Sequence, residues 1–293
     1  MLGTKVSIII PAYNEQEGIG EVLKQLTEST ELNGAELIVV DDCSTDQTSS
    51  VVSSFNNVRL LRNYKNRGYS SSLITGSKAS SREYIIWCDA DGQHRIEDLI
   101  RVANALVYQK LDYCIGIRTR DSFEVSNRRL GKWVLKIVVE IAAGQKVTDF
   151  NSGLRGFKRS VITKYLHLIP QRFGASTVTT LIMLQRGYLG EEIPITVLKR
   201  AGKSTVNQFR DGFQTLFLIL RIVLLFAPLR FFSPIGSLLI LGGFSYGFYA
   251  ALRNRLGFPV LAMLIIFLGV ESLLLGLISD QISRLRLELL EKD

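Results

Sequence analysis

The sequence predicts an α/β fold: a mostly parallel sheet with helices on both faces, followed by two C-terminal transmembrane helices. Short β-branched runs alternate with segments of helical period from Lys5 to Leu198. That alternation is the pattern of a parallel sheet covered on both sides. Beyond residue 206 the composition shifts to long apolar stretches. The bulk values agree, with 47% hydrophobic residues and a mean hydropathy of +0.20 over 293 residues.

Lys5 to Pro11 is a β-branched run stopped by proline and reads as a buried strand. Glu15 to Leu26 reads as a helix whose apolar face is Ile19, Val22, Leu23 and Leu26. Glu36 to Val40 is a second buried strand, and Ser44-Thr45-Asp46 is a helix-start signature leading to Val51, Val52 and Phe55. Val58 to Leu61, Tyr84 to Trp87, Tyr113 to Ile117 and Glu192 to Leu198 complete the predicted strands. Ser71 to Ser80, Ile96 to Tyr108, Leu130 to Ile141 and Thr177 to Leu184 are the remaining helices. Asp149 to Arg155 reads as a polar loop.

In parallel sheets ligands bind beyond the carboxyl ends of the strands. Three strand ends here carry polar clusters: Tyr13-Asn14-Glu15, Asp41-Asp42, and Asp89-Ala90-Asp91-Gly92-Gln93. Residues i and i+2 of an extended chain point to the same face, so Asp89 and Asp91 leave the strand together. Such oxygen donors suit a hard divalent cation, Mg²⁺ or Mn²⁺. A solvated Asp-Ala-Asp-Gly turn satisfies the same four residues.

Other chemistries are excluded by composition. The two histidines, His94 and His167, are too far apart for an HExxH zinc site, and the three cysteines form no CxxC or Cys/His cluster. Gly202-Lys203-Ser204-Thr205 resembles the end of a P-loop, but Val197 stands where that motif needs its first glycine. A strand begins within a few residues of Met1, leaving no room for a signal peptide. The net charge of +8 suits an anionic partner: a membrane surface, phosphates or nucleic acid.

Phe213, Leu216, Phe217, Leu220 and Leu224 recur at helical spacing beside Arg210, Asp211 and Arg221, as in a helix lying on a membrane surface. A third span over 212–232 would bury Arg221 at a cost of about 2.5–3.5 kcal/mol. Pro228, Arg230 and Pro234 are expected to break this segment from a first span, Ser233 to Leu252. Pro259 to Ile278 is a second span carrying Glu271, and an amphipathic tail follows from Asp280. Gly243 and Gly247 have the GxxxG spacing that lets helices approach closely, although scattered glycine is common in membrane helices.

Taken together, Pro11-Ala-Tyr-Asn-Glu15, Asp41 to Asp46, Arg62 to Gly68, Asp89 to Gln93, Gly116-Ile-Arg118, Asp149 with Ser152-Gly153, and the loop from Arg200 to Ser204 carry a resemblance. In this order the chain resembles the family 2 inverting glycosyltransferases, and among them the polyprenyl-phosphate enzymes of the dolichyl-phosphate mannose synthase type. The resemblance covers residues 4 to 232, plus the membrane hairpin that some members carry. It implies a GT-A domain, a Rossmann-like mixed sheet.

By resemblance, Pro11, Tyr13, Glu15, Val40 and Asp42 hold the nucleotide. Asp89, Ala90, Asp91 and Gln93 hold the diphosphate, with a cation at Asp89, Asp91 and Gln93. Arg118, Arg128 or Arg129, and Ser152 face the lipid phosphate, while Arg200 and Lys203 close over the donor. Asp149 orients the acceptor, acts as base, or merely caps its loop. Ser176, Thr177 and Thr179 stand where the family often has an acid, and Lys203-Ser204-Thr205 replaces the usual Ser-Lys.

The implied reaction transfers a sugar, with inversion, from a GDP- or UDP-sugar to a polyprenyl (dolichyl or undecaprenyl) phosphate. No nucleic-acid partner is implied. The expected domains are a catalytic domain over 1–205, an interfacial region over 206–232, a hairpin over 233–279 and a tail over 280–293. Two spans put both termini and the catalytic domain on the cytoplasmic side, and the spans could join copies of the chain. Two rivals share the fold. A processive polysaccharide synthase usually carries Gln-x-x-Arg-Trp, which neither Trp87 nor Trp133 supplies. A non-catalytic nucleotide-sugar-binding protein would have no need of both Asp89 and Asp91.

Overall fold

The computed structural model describes residues 1–119, 129–198, 217–218, 220–254 and 257–288. Those residues fall into two compact units, one within Met1–Arg129 and Thr148–Gln214, the other within Leu130–Val147 and Thr215–Asp293.

The first unit is built on a seven-stranded sheet of β1 (Val6–Ala12), β2 (Glu36–Asp41), β3 (Val58–Arg62), β4 (Tyr84–Trp87), β5 (Tyr113–Arg118), β6 (Arg155–Lys158) and β7 (Gly190–Ile195). Their order is β3-β2-β1-β4-β6-β5-β7. All run the same way except β6, which is antiparallel to both β4 and β5. The mostly parallel α/β sheet predicted from the alternation is therefore present.

Alternate strand residues serve opposite faces. Ile8, Ile10, Leu37, Val39 and Ile86 join one core cluster with α1 (Ile19–Glu28) and α4 (Ile96–Tyr108). On the other face Ile9 and Val40 crowd Gly76 of α3 (Tyr69–Ala79), and Trp87 donates from Nε1 to Ser77 Oγ at 3.0 Å. The short α2 (Thr48–Ser53) joins β2 to β3. Residues 15–18 form turn rather than helix, so α1 starts four residues later than its period suggested.

Two elements were hidden in the sequence, β6 and the helix after it. Arg155 and Gly156 make half of β6 and spoil any hydrophobic alternation. The strand forms because the Arg155 side chain finds acceptors throughout the interior, as described below. The helix Arg159–Tyr165 (α6) follows it directly. The next helix, Ala175–Gln185 (α7), contains the predicted segment.

In the second unit Arg129–Ala143 (α5), the described residues of 217–226, Pro228–Asn254 (α8) and Val260–Glu288 (α9) are helical. Phe217, Leu220 and Leu224 of the apolar stripe read from the sequence are exposed, whereas Phe213 and Leu216 lie outside the described residues. Helices α8 and α9 are long and apolar enough to cross a membrane, and only 22% and 17% of the respective windows is buried. The expected break falls at Ala227, just before Pro228, while Pro234 makes none, because α8 begins at Pro228 and runs through it. A proline in the second turn costs one bond, to the Arg230 carbonyl, and membrane helices tolerate that loss. Likewise α9 continues through the tail to Glu288.

The hairpin packs along columns of small residues seven apart: Gly236, Gly243 and Ala250 against Ala262, Gly269, Gly276 and Ser283, all buried. A β-carbon at Gly243 would lie 2.7 Å from Ile266 Cγ1, and one at Gly247 would enter the Phe258 ring. The GxxxG pair is thus a packing device within a longer seam of left-handed type. Ser272 Oγ donates to the Phe232 carbonyl at 3.3 Å. That register puts exposed Glu271 level with the first turns of α8, near one end of that helix.

Candidate active site

The ends of β1 and β2 are stitched into one edge. The Asn14 amide donates to Ser44 Oγ at 3.0 Å, and Asn14 Oδ1 accepts from the Thr45 amide at 2.9 Å. The Glu15 amide donates to Thr48 Oγ1 at 2.9 Å, and Tyr13 and Glu15 are half-buried beside this seam. Pro11 sits in register with Val40, and both are buried in the sheet.

The two aspartates after β2 spend their oxygens on loops. Asp41, fully buried, accepts from the Ser44 amide at 2.8 Å and from the Ser49 hydroxyl. Asp42 accepts from Asn63 Nδ2 at 2.7 Å, the Arg67 amide at 2.9 Å and the Gly68 amide at 2.7 Å. It therefore fixes the loop between β3 and α3. Gly68 has φ +93°, and a β-carbon there would stand 2.7 Å from the Arg172 Cα. Only glycine enters α3 at that angle without a clash.

After β4 the chain turns through Asp89, Ala90, Asp91 and Gln93. The turn at Gly18 lies against this stretch, where a β-carbon would be 2.9 Å from the Ala90 carbonyl. Asp89 Oδ1 accepts from the Tyr69 hydroxyl at 2.7 Å, and Asp89 Oδ2 lies 3.3 Å from His94 Nε2. Burial of the hydroxyl and then the Asp89 carboxylate push the Tyr69 phenol well above its ordinary pKa, although the residue as a whole is 36% exposed. Asp91 is buried and accepts from the Gln93 amide at 3.1 Å. Gln93 Nε2 donates to the Leu198 carbonyl at 2.8 Å, which leaves its Oε1 as the donor atom toward a cation.

Reversal of β6 completes the site. Because it runs against its neighbours, the loop before it, Asp149 to Leu154, arrives at the carboxyl ends of β4 and β5. A β-carbon at Gly153 would overlap the Asp89 carboxylate. In the same loop Asp149 accepts from Arg118 at the end of β5, Nε to Oδ2 at 2.7 Å and Nη2 to Oδ1 at 2.8 Å. Burial opposes the charge on Asp149, but the Arg118 fork and the Asn151 and Arg118 amides outweigh it and hold its pKa below the usual carboxylate value. Ser152 is buried, and its Oγ has no partner among the described residues.

Sequence reasoning missed Arg155, Tyr69 and His94. Arg155 is fully buried. It donates to the Ser152 carbonyl from Nε (3.0 Å) and Nη2 (2.6 Å), and from Nη1 to the Ser176 carbonyl (2.6 Å), Thr179 Oγ1 (3.0 Å) and Thr180 Oγ1 (3.1 Å). Burial pulls its pKa down to about 10, still charged at neutral pH. Of the residues that stand where an acid was expected, Thr179 solvates this cation through its hydroxyl and Ser176 through its carbonyl, whereas Thr177 Oγ1 has no partner among the described residues. The signal available was Arg155 with Ser176, Thr179 and Thr180, which only the fold brings together. Arg128, Arg200 and Lys203 lie outside the described residues, as does the Arg129 side chain.

The donor set fits a hard divalent cation. Asp91, Gln93 and Asp89 offer oxygen alone. Among the described residues no three His, Cys, Asp or Glu side chains converge into a complete ligand set. A site with one or two carboxylates that leaves other positions to substrate phosphates is the usual one for Mg²⁺.

Residues 7–166 match the glycosyl transferase family 2 model, and residues 227–285 match the GtrB C-terminal hairpin. The chain belongs to glycosyl transferase family 2. This glycosyltransferase is 32% identical, over 73% of its length, to an uncharacterized protein of Methanocaldococcus jannaschii, 90% of which is covered. It is 27% identical over 96% of its length to the undecaprenyl-phosphate 4-deoxy-4-formamido-L-arabinose transferase of Salmonella paratyphi B, 89% of which is covered. Among solved structures, glucosyl-3-phosphoglycerate synthase from Mycobacterium tuberculosis, in complex with Mn²⁺ and UDP, superposes with a TM-score of 0.59 at 18% identity. That match covers 75% of the glycosyltransferase and 78% of the synthase, and it establishes the GT-A fold.

Proposed function

We propose that the glycosyltransferase moves a sugar from a nucleoside-diphosphate donor to a polyprenyl phosphate, with inversion, at the cytoplasmic face of a membrane. The observation that carries this reading is the meeting of Asp89 and Gly153. It presses the loop bearing Asp149 and Ser152 against the stretch that would hold the donor diphosphate. The arabinose transferase named above, a relative along nearly the full chain, acts by its name on an undecaprenyl phosphate.

Bound at Asp91 and Gln93 beside Asp89, a divalent cation supplies positive charge that favours departure of the nucleoside diphosphate. Tyr13 and Glu15 flank the nucleotide, and Asp42 shapes its pocket by holding the 63–68 loop. A phosphate acceptor is already anionic at neutral pH, so it needs orientation and desolvation more than a strong base. Asp149, kept ionised by Arg118, serves to aim that arginine at the acceptor phosphate, for which a guanidinium fork is suited. Arg128 or Arg129 adds to that side, and Arg200 and Lys203 to the donor side. Attack from the face opposite the leaving diphosphate inverts the anomeric centre.

Helices α8 and α9 serve as the membrane anchor, with the catalytic unit and both termini cytoplasmic. Their outward faces are apolar and suit lipid or a second copy of the chain. The test is a membrane preparation given Mg²⁺ or Mn²⁺, a polyprenyl phosphate and labelled UDP- or GDP-sugars. A labelled lipid extracted into organic solvent is the expected product, and a water-soluble polymer would show a processive synthase instead.

A further inference from the structure

Asp89 is held by two side chains that the donor-site motif does not include. Tyr69 donates to Oδ1 and His94 reaches Oδ2, at 2.7 and 3.3 Å, so both carboxylate oxygens are engaged from opposite sides. Gly153 closes a third direction, since a β-carbon there would overlap the carboxylate. Although the Asp89 side chain is 26% exposed, these three contacts favour one rotamer.

The two holders are themselves fixed. Tyr69 is the first residue of α3, and its backbone is pinned on both flanks. On one side the Arg67 and Gly68 amides donate to Asp42. On the other, the Ser71 amide and hydroxyl donate to the Gln171 carbonyl at 2.7 and 2.8 Å. The His94 side chain is 5% exposed, and its Nδ1 has no partner among the described residues. Among those residues its polar contact is the one to Asp89, with Nε2 carrying the hydrogen. Leaving a buried ring nitrogen unpaired is unfavourable, so packing alone would not select histidine at this position.

We propose that Tyr69 and His94 are positioning residues that lock the Asp89 carboxylate in one orientation and so set the geometry in which the cation and the donor diphosphate are bound. This rests on the donor site assigned above. Through Asp42, the loop it fixes and Tyr69, the end of β2 is joined to the end of β4. The orientation of Asp89 is thereby written into the frame of the sheet. Residues that orient a metal site from outside its ligand set typically alter affinity about 10–100-fold when lost.

The test uses the full-length protein in detergent or nanodiscs, titrated with Mn²⁺ in the presence of UDP and, separately, GDP, and followed by the Mn²⁺ paramagnetic resonance signal. Tyr69→Phe removes one oxygen and keeps the ring. His94→Phe removes the donor, and His94→Gln offers an amide nitrogen at the Nε2 position. Tyr69→Phe and His94→Phe are each expected to weaken Mn²⁺–nucleotide binding about 10-fold or more, with His94→Gln recovering most of the loss. Binding within twofold of wild type for both Tyr69→Phe and His94→Phe overturns the inference while leaving the donor site intact. Wild-type protein that takes up Mn²⁺ with neither nucleotide overturns the donor assignment, and the inference with it.

Discussion

Arg118 and Asp149 meet fork to fork, two nitrogens on two oxygens, across the gap between the end of β5 and the loop that precedes β6. The pair keeps Asp149 charged and aims Arg118. Because its pKa is lowered on folding, Asp149 contributes stability that is present in full above its ordinary value of about 3.9 and lost as pH falls through the lower folded value. Between pH 5 and 9 it does not titrate. Asp149→Asn should therefore lower kcat/KM by a similar factor at every pH in that window, leaving the shape of the profile unchanged. An acid limb that disappears in the variant would mean that Asp149 is a base.

The same substitution should destabilise the protein by about 1–3 kcal/mol. Asp149 is buried, whereas the Arg118 side chain is 33% exposed, so solvent screening takes part of the value of a fully buried pair. The melting midpoint in detergent is the measurement.

Gly153→Ala should cost activity out of proportion to stability. The added methyl displaces the Asp89 carboxylate, and a shift of about 1 Å in a reacting geometry is worth about 100-fold in rate. Product formation should fall by that order while the melting curve moves little. Full activity in this variant would show that Asp89 need not stay where Gly153 confines it.

Arg155→Lys should destabilise the catalytic unit by about 3 kcal/mol, since one ammonium cannot reach acceptors spread over the Ser152 carbonyl, the Ser176 carbonyl and two threonine hydroxyls. Thermal unfolding compared between the two proteins measures it. A melting point within a degree of wild type would mean that the Arg155 bonds are dispensable.

Chelation should abolish sugar transfer, and Mg²⁺ or Mn²⁺ should restore it. Asp91→Ala should resist that rescue, with lipid-linked product reduced at least about 100-fold at saturating cation. Organic-phase extraction of labelled product gives the comparison directly.

Much of this was legible in the residues. The β-branched runs up to β5 and the apolar spans stand out because burial on both sides leaves no polar alternation to confuse them. The polar strand ends were legible, as at Asp89 and Asp91, whereas Asp149 was singled out in a polar loop and by the family resemblance. What escaped depends on contacts between distant segments. Nothing local in Arg155-Gly156-Phe157-Lys158 announces a strand, since its buried charge is solvated by partners some twenty residues away. Tyr69 lies just ahead of the helix predicted from Ser71 and draws no notice until its hydroxyl is seen on Asp89, and His94 reads as one more turn residue. Pro234 misled in the other direction, because a local breaker signal yields when the surrounding helix is long.

The position of β6 has a bearing on how the molecule comes into being. Strands β1 to β4 form one ribbon and β5 with β7 another, and four residues alone bridge them. A ribosome that has emitted the first 118 residues has made Asp89 and Arg118 but not the strand that joins β4 to β5. Strand β7, the partner of β5, is made later still. The catalytic face is thus joined across the sheet only when β6 has been made, and a chain cut before Arg155 would carry Asp89 and Arg118 without the strand that links β4 to β5.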